Sequence, residues 1–226
     1  MLKDFFSLIY PQICLSCGKS LIKKEVCICT YCKYHLPKTD FHLVEDNPIS
    51  RLFWGKVNLH SAASYYYFNK GSKVQKLIHQ LKYNGQKEVG TAIGEFYGIE
   101  LKESPLYSNI DTIIPVPLHP KKQKKRGYNQ SDCFGEGLAK SWGIRLETEI
   151  FYRTTDSATQ TRKSRFERWK NVETIFKVKE PDALQGKHIL LVDDVVTTGS
   201  TLEACARMLL EIPDTKVSIV TIACTS

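Results

Sequence analysis

Two adjacent acids followed by a hydroxyl-rich turn are the densest piece of chemistry in the sequence. Asp193-Asp194-Val195-Val196-Thr197-Thr198-Gly199-Ser200-Thr201 follows an apolar run at 188–192 and leads into LEACARMLLE. That order predicts a strand, a loop and a helix N-terminus. The first N–H groups of a helix lack intrahelical partners and the macrodipole is positive there, so a phosphate can be held. Gly199 permits close backbone approach, and the hydroxyls of Thr197, Thr198, Ser200 and Thr201 add donors. A simple helix cap needs one such residue. Two carboxylates cannot both enter a core unpaired, so Asp193 and Asp194 call for water or for a ligand bearing hydroxyls or a metal.

The second set is thiol chemistry. Cys14-Leu-Ser-Cys17 and Cys29-Thr-Tyr-Cys32 are CxxC pairs separated by eleven residues. Two such turns can converge four thiolates on one Zn²⁺ in a closed, structural tetrahedron. Cys27 could stand in for Cys29, and His35 is a further donor. Reduced structural thiols or a redox pair are the alternative reading.

The third set is cationic. Lys121, Lys122, Lys124, Lys125 and Arg126 lie within six residues, directly after Pro117, Leu118 and His119 and before Gly127-Tyr128-Asn129-Gln130. Such a run repels itself unless anions approach it or water solvates it. Residues 159–171 add Arg162, Lys163, Arg165, Arg168 and Lys170, with Phe166 and Trp169 interleaved. Cations with rings at this density can track a phosphate backbone while the rings stack on bases, or can form a lid. On a helix Arg165 and Arg168 would share a face. The two runs hold ten cations against a net charge of +8, so the positive field is local.

These groups need a scaffold, and the composition supplies one. With 226 residues, 42% hydrophobic and 25% charged, the chain is globular and has one or two domains. No stretch approaches the roughly 20 apolar residues of a membrane span. The N-terminus shows no cleavage-site pattern, which predicts a cytoplasmic protein. Five of the eight cysteines fall between 14 and 32, which favours metal over disulfides. Strands are expected at 62–68, 111–118, 146–152, 174–178, 188–192 and 216–223. Val74, Leu77, Ile78 and Leu81 mark an amphipathic helix. Further helices are expected at 88–102, 131–142 (weakened by Gly135 and Gly137) and 201–211. The alternation predicts an α/β fold with a mainly parallel sheet. The division expected is 1–40 for the cysteine element, 41–60 for a linker and 61–226 for the α/β domain. Lys82 and His79, beside LKYNG, either face the site or solvate a helix end. The run Tyr65-Tyr66-Tyr67-Phe68 is expected as core plus edge.

ILLVDDVVTTGST resembles the phosphoribosyl-pyrophosphate (PRPP) signature of type I phosphoribosyltransferases, whose fold is a parallel sheet under a hood. The resemblance implies that Asp193 and Asp194 meet the ribose hydroxyls and that Thr197, Thr198, Gly199, Ser200 and Thr201 meet the 5′-phosphate. It also implies that Pro117, Leu118, His119, Lys121, Lys122 and Arg126, with Arg165 and Arg168 of the hood, serve the pyrophosphate. The order of the CxxC ribbon (Cys14, Cys17, Cys29, Cys32), LKYNGQ, PVPLHPKK, RGYNQ and the PRPP loop resembles the ComF family, linked to DNA uptake in natural competence. That resemblance implies a structural Zn²⁺, PRPP bound with Mg²⁺, and phosphoribosyl transfer to an acceptor. The alternative it leaves is a non-catalytic module handling single-stranded DNA beside competence proteins. Where many purine-salvage relatives carry an acid that handles the base's proton, this chain has Thr197, a poor general base. Purine salvage is disfavoured.

Overall fold

The computed structural model describes residues 11–154 and 175–225. Its centre is a five-stranded sheet in the order β1 (Ser61–Phe68), β7 (Lys216–Thr225), β6 (His188–Val196), β2 (Thr112–Pro115), β3 (Arg145–Leu146). Every pairing in it is parallel. Parallel neighbours require crossover connections, and helices provide them. They are α3 (Lys73–Tyr83), α4 (Lys87–Lys102), α5 (Pro120–Arg126), α6 (Gln130–Trp142) and α7 (Ser200–Leu210), preceded by the short α1 (Thr30–His35) and α2 (Pro48–Arg51). A separate antiparallel pair joins β4 (Phe151–Arg153) to β5 (Phe176–Val178). The strand expected at 146–152 is therefore two short pieces in two sheets.

Both sheet faces are covered, which is why the central strands are apolar without alternation. Leu190, Val192, Val220 and Ile222 belong to one core with Leu77, Leu81, Ile93, Phe134 and Leu138. Ile189, Leu191, Val217 and Ile219 belong to the other with Leu202, Cys205, Ala206 and Leu209. Tyr65 and Tyr66 are buried, as expected for a core strand, and Tyr65 donates to Glu100 Oε1 at 2.7 Å.

The cysteine element joins the first core. Cys14, Cys27, Ile28, Cys32 and Leu36 pack in the same cluster as Leu77, Val89 and Ile93. The backbone continues this docking: Tyr67 N–H donates to Pro37 O at 3.0 Å, Thr39 N–H to Tyr65 O at 3.0 Å, and Lys38 pairs with Glu100 at 2.6 Å. Residues 41–60 bury Phe53, and Asn47 donates from its amide to Ala62 O at 2.9 Å.

Gly94 of α4 and Gly137 of α6 pack backbone on backbone. A Cβ at Gly137 would lie 2.0 Å from Thr91 O and 2.8 Å from Glu95 N, and one at Gly94 would lie 2.3 Å from Phe134 O. Helix propensity, which disfavours glycine by about 1 kcal/mol, is overridden by this contact. Gly137→Ala is expected to destabilise the fold despite its better propensity, by about 1–3 kcal/mol of overpacking. Thermal melting checks this: a melting temperature equal to or above that of the wild type would show that the interface has room.

Candidate ligand site at the carboxyl end of the sheet

β6 continues past the expected Val192 to Val196, so Asp193 and Asp194 lie within the strand, two residues before the loop, and their side chains point to opposite faces. Two adjacent carboxylates at the end of a buried strand must be compensated, and the neighbouring elements do it. Asp193 Oδ1 accepts from Ser131 Oγ at 2.8 Å and from the Asp194 N–H at 2.8 Å. Ser131 comes from the first turn of α6. Asp194 pairs with Lys82 Nζ at 2.9 Å, and Lys82 comes from the last turn of α3. Burial, and then the charge of Asp194, push the Asp193 carboxyl up to about 7, against the hydrogen bonds from Ser131 and Asp194 and the charge of Lys82.

The loop beyond ends on Gly199 in the left-handed region (φ +76°), where α7 begins. A Cβ there would also press on the Phe53 ring at 3.1 Å. Thr197, Thr198, Ser200 and Thr201 are exposed, and the Thr198 and Ser200 hydroxyls lie 3.0 Å apart. The residues expected around a ligand thus line one turn at the N-terminus of an eleven-residue helix.

β2 lies beside β6, and Val116 N–H donates to Val192 O at 2.8 Å. Residues 117–119 therefore leave the sheet next to the acidic pair. The basic run that follows is helical: His119 caps α5 through Nδ1, which accepts from Lys121 N–H at 3.1 Å, and Gly127 closes it at φ +79°. Lys122, Lys125 and Arg126 share one face by their spacing of three and four. RGYNQ secures this helix. Arg126 donates to Gln130 Oε1, the Tyr128 hydroxyl to Leu81 O, and Asn129 Nδ2 to Val116 O at 3.0 Å. Arg165 and Arg168 lie outside the described residues.

Cys14, Cys17, Cys29 and Cys32 converge, with their sulfur atoms all within 4.8 Å of one another. Cys17 and Cys29 Sγ are 3.7 Å apart. A tetrahedron of Zn–S bonds of about 2.3 Å needs sulfurs ~3.8 Å apart, so the group could hold Zn²⁺. The Cys29 N–H donates to Cys14 Sγ at 3.3 Å and the Cys32 N–H to Cys29 Sγ at 3.4 Å. Burial raises the Cys14 thiol, but the N–H donors of Cys29, Cys17 and Ser16 outweigh it and bring it to about 7. Cys27 is elsewhere: its thiol donates to Glu88 O at 3.4 Å, and burial with the Glu88 charge pushes it up to about 12. His35 turns to Tyr31, with Nδ1 2.8 Å from its carbonyl and the rings stacked at 4.0 Å.

Lys82 and Ser131 are the site residues that sequence spacing leaves without a role or undecided. They stand 112 and 62 positions from their carboxylates (194 − 82 and 193 − 131). Only the LKYNG context of Lys82 hinted at it.

Residues 146–225 match the family of phosphoribosyl transferase domains. The DNA utilization protein YhgH of Escherichia coli is 32% identical over 206 residues, covering 88% of this chain and 84% of that protein. The competence protein ComFC of Bacillus subtilis is 28% identical over 205 residues, covering 88% of this chain and 78% of that protein. Among solved structures, a glutamine phosphoribosylpyrophosphate (PRPP) amidotransferase from B. subtilis complexed with ADP and GMP aligns at 20% identity over 64% of this chain and 30% of its own, with a TM-score of 0.46.

Two predictions arise from this geometry. Because the cysteine group shares the first core, a metal chelator or Cys32→Ser is expected to lower the main thermal transition. Loss of such a site costs about 4–5 kcal/mol or more, roughly 8–20 °C here. A main transition left in place, with a separate minor one, would contradict the shared core. For Asp193, the folded carboxyl keeps its proton to about pH 7, whereas in the unfolded chain it gives it up near pH 4. Its contribution is therefore fully present at low pH and is lost as pH rises through 7. Asp193→Asn keeps Oδ1 as acceptor and removes the charge. It is expected to melt higher than the wild type at pH 8, with the gap narrowing toward pH 5; a gap independent of pH would contradict the assignment.

Proposed function

The chain belongs to the ComF family, and from that premise we propose that it handles single-stranded DNA in the cytoplasm during DNA uptake and use. In this reading a phosphoribosyltransferase fold keeps a sugar-phosphate site beside the DNA-binding face. The observation that carries it is α5: five cations on seven residues, held beside the carboxyl end of the sheet. The relatives' names, a DNA utilization protein and a competence protein, point to the same polyanion. Phosphates supply most of the affinity for such a helix through counterion release.

A second reading concerns the acidic loop. An internal deoxynucleotide has no free 2′ or 3′ hydroxyl, and its phosphodiester would be repelled by Asp193 and Asp194. The loop therefore suits a ribose 5-phosphate, and PRPP is the ligand proposed. Asp193 and Asp194 would accept from the ribose hydroxyls. Thr197, Thr198, Gly199, Ser200 and Thr201 would hold the 5′-phosphate at the start of α7. Pro117, Leu118, His119, Lys121, Lys122 and Arg126 would serve the pyrophosphate on C1. Mg²⁺ would enter with that pyrophosphate and neutralise it. Transfer to an acceptor would need a proton carrier other than Thr197.

Fluorescence anisotropy of a labelled oligonucleotide tests the DNA reading. Affinity should fall with salt, with a log–log slope of about −0.7 for each phosphate contacted. Replacing Lys121, Lys122, Lys124 and Lys125 with Ala should flatten that slope. Absence of binding at low salt, or a slope unaltered in this variant, would exclude α5 as the DNA face. Calorimetry tests the loop separately: Mg²⁺-dependent PRPP binding is expected, weakened about 10- to 150-fold by Asp194→Ala. No heat at millimolar PRPP would remove the second reading and leave the first standing.

A further inference from the structure

α3 and α5 enclose a cleft of 270 Å³ that is lined by four cations. Lys82 and Tyr83 line it from the end of α3, Lys122, Lys125 and Arg126 from the face of α5, and Tyr128 from the turn after it. No carboxylate lines it among the described residues. Lys82 pairs with Asp194 and Arg126 donates to Gln130, while Lys122 and Lys125 form no ion pair among the described residues. The rings differ in role. Tyr128 is buried and its hydroxyl is committed to Leu81 O. Tyr83 is 65% exposed, although its helix buries Val74, Leu77, Ile78 and Leu81 on the opposite side. The Arg126 guanidinium stands 5.4 Å from the centroid of that ring, so a cation and an aromatic platform share the mouth of the cleft.

We propose that this cleft is a contact for single-stranded DNA, in which Tyr83 stacks on a base and Lys122, Lys125 and Arg126 hold the flanking phosphates. The inference rests on the DNA reading above and adds its location and mode. Stacking on an exposed ring tolerates any base and needs an unstacked strand, so it selects single strands over duplex. Phosphates at the cleft would also meet Lys82, which links this contact to Asp194 and the loop.

The test is anisotropy with a labelled single-stranded oligonucleotide and the duplex of the same length. Tyr83→Ala should weaken single-strand binding about 5- to 150-fold with the salt slope unchanged, and should leave duplex binding as it was. Tyr83→Phe, which keeps the ring, should bind like the wild type. The double change Lys122→Ala with Lys125→Ala should instead reduce the single-strand slope by about 1.4. Wild-type affinity in Tyr83→Ala, an equal loss on both oligonucleotides, or an unaltered slope in the lysine pair would overturn the cleft while the DNA reading stood. A wild-type protein that binds neither oligonucleotide would overturn both.

Discussion

Two carboxylates side by side at the end of a buried strand are the demand around which this molecule is arranged. Asp193 is answered by Ser131 and by the next backbone N–H, and Asp194 by Lys82. The two side-chain answers each depend on a helix being in place. Ser131 reaches Asp193 because α6 is seated on α4 without side chains between them at Gly94 and Gly137. Lys82 reaches Asp194 because Leu81 is locked into the core and its carbonyl accepts from Tyr128. The cost of burying one carboxyl, and then of setting it beside a second one, is expressed in the raised Asp193 carboxyl; it is the kind of local cost a binding site keeps and a stability optimum would remove.

The cysteine group belongs to the same mechanical unit. Its sulfurs sit in the core that also holds α3 and α4, so whatever orders them also supports the helix that delivers Lys82. A metal at Cys14, Cys17, Cys29 and Cys32 would have no open position for chemistry, and its influence on the site would pass through that packing.

Much of this arrangement is legible in the amino-acid order because it is local. The apolar run, acid pair, hydroxyl turn and amphipathic segment at 188–210 form consecutive elements, and the two CxxC turns declare their own geometry. Cys27 could be set apart from Cys29 only once Glu88, 61 residues away, supplied its partner. The roles of Lys82 and Ser131 depend on contacts across the fold that no spacing encodes. The run 120–126 was hidden for a different reason: clustered lysines disfavour any compact form, and the cap from His119 and the anchors at Tyr128 and Asn129 are what make it a helix. Gly94 and Gly137, weak as helix formers, become intelligible only as a backbone contact.

Lys82 pairs with Asp194 and lines the basic cleft, so on the proposed readings the ribose-phosphate loop and the DNA contact would share one side chain. The direct measurement is oligonucleotide affinity with and without saturating PRPP and Mg²⁺, together with PRPP affinity with and without the oligonucleotide. Because coupling between sites is reciprocal, the account predicts that each ligand weakens the other by the same factor, about fivefold or more. Two affinities that ignore each other, in a protein shown to bind both ligands, would contradict it.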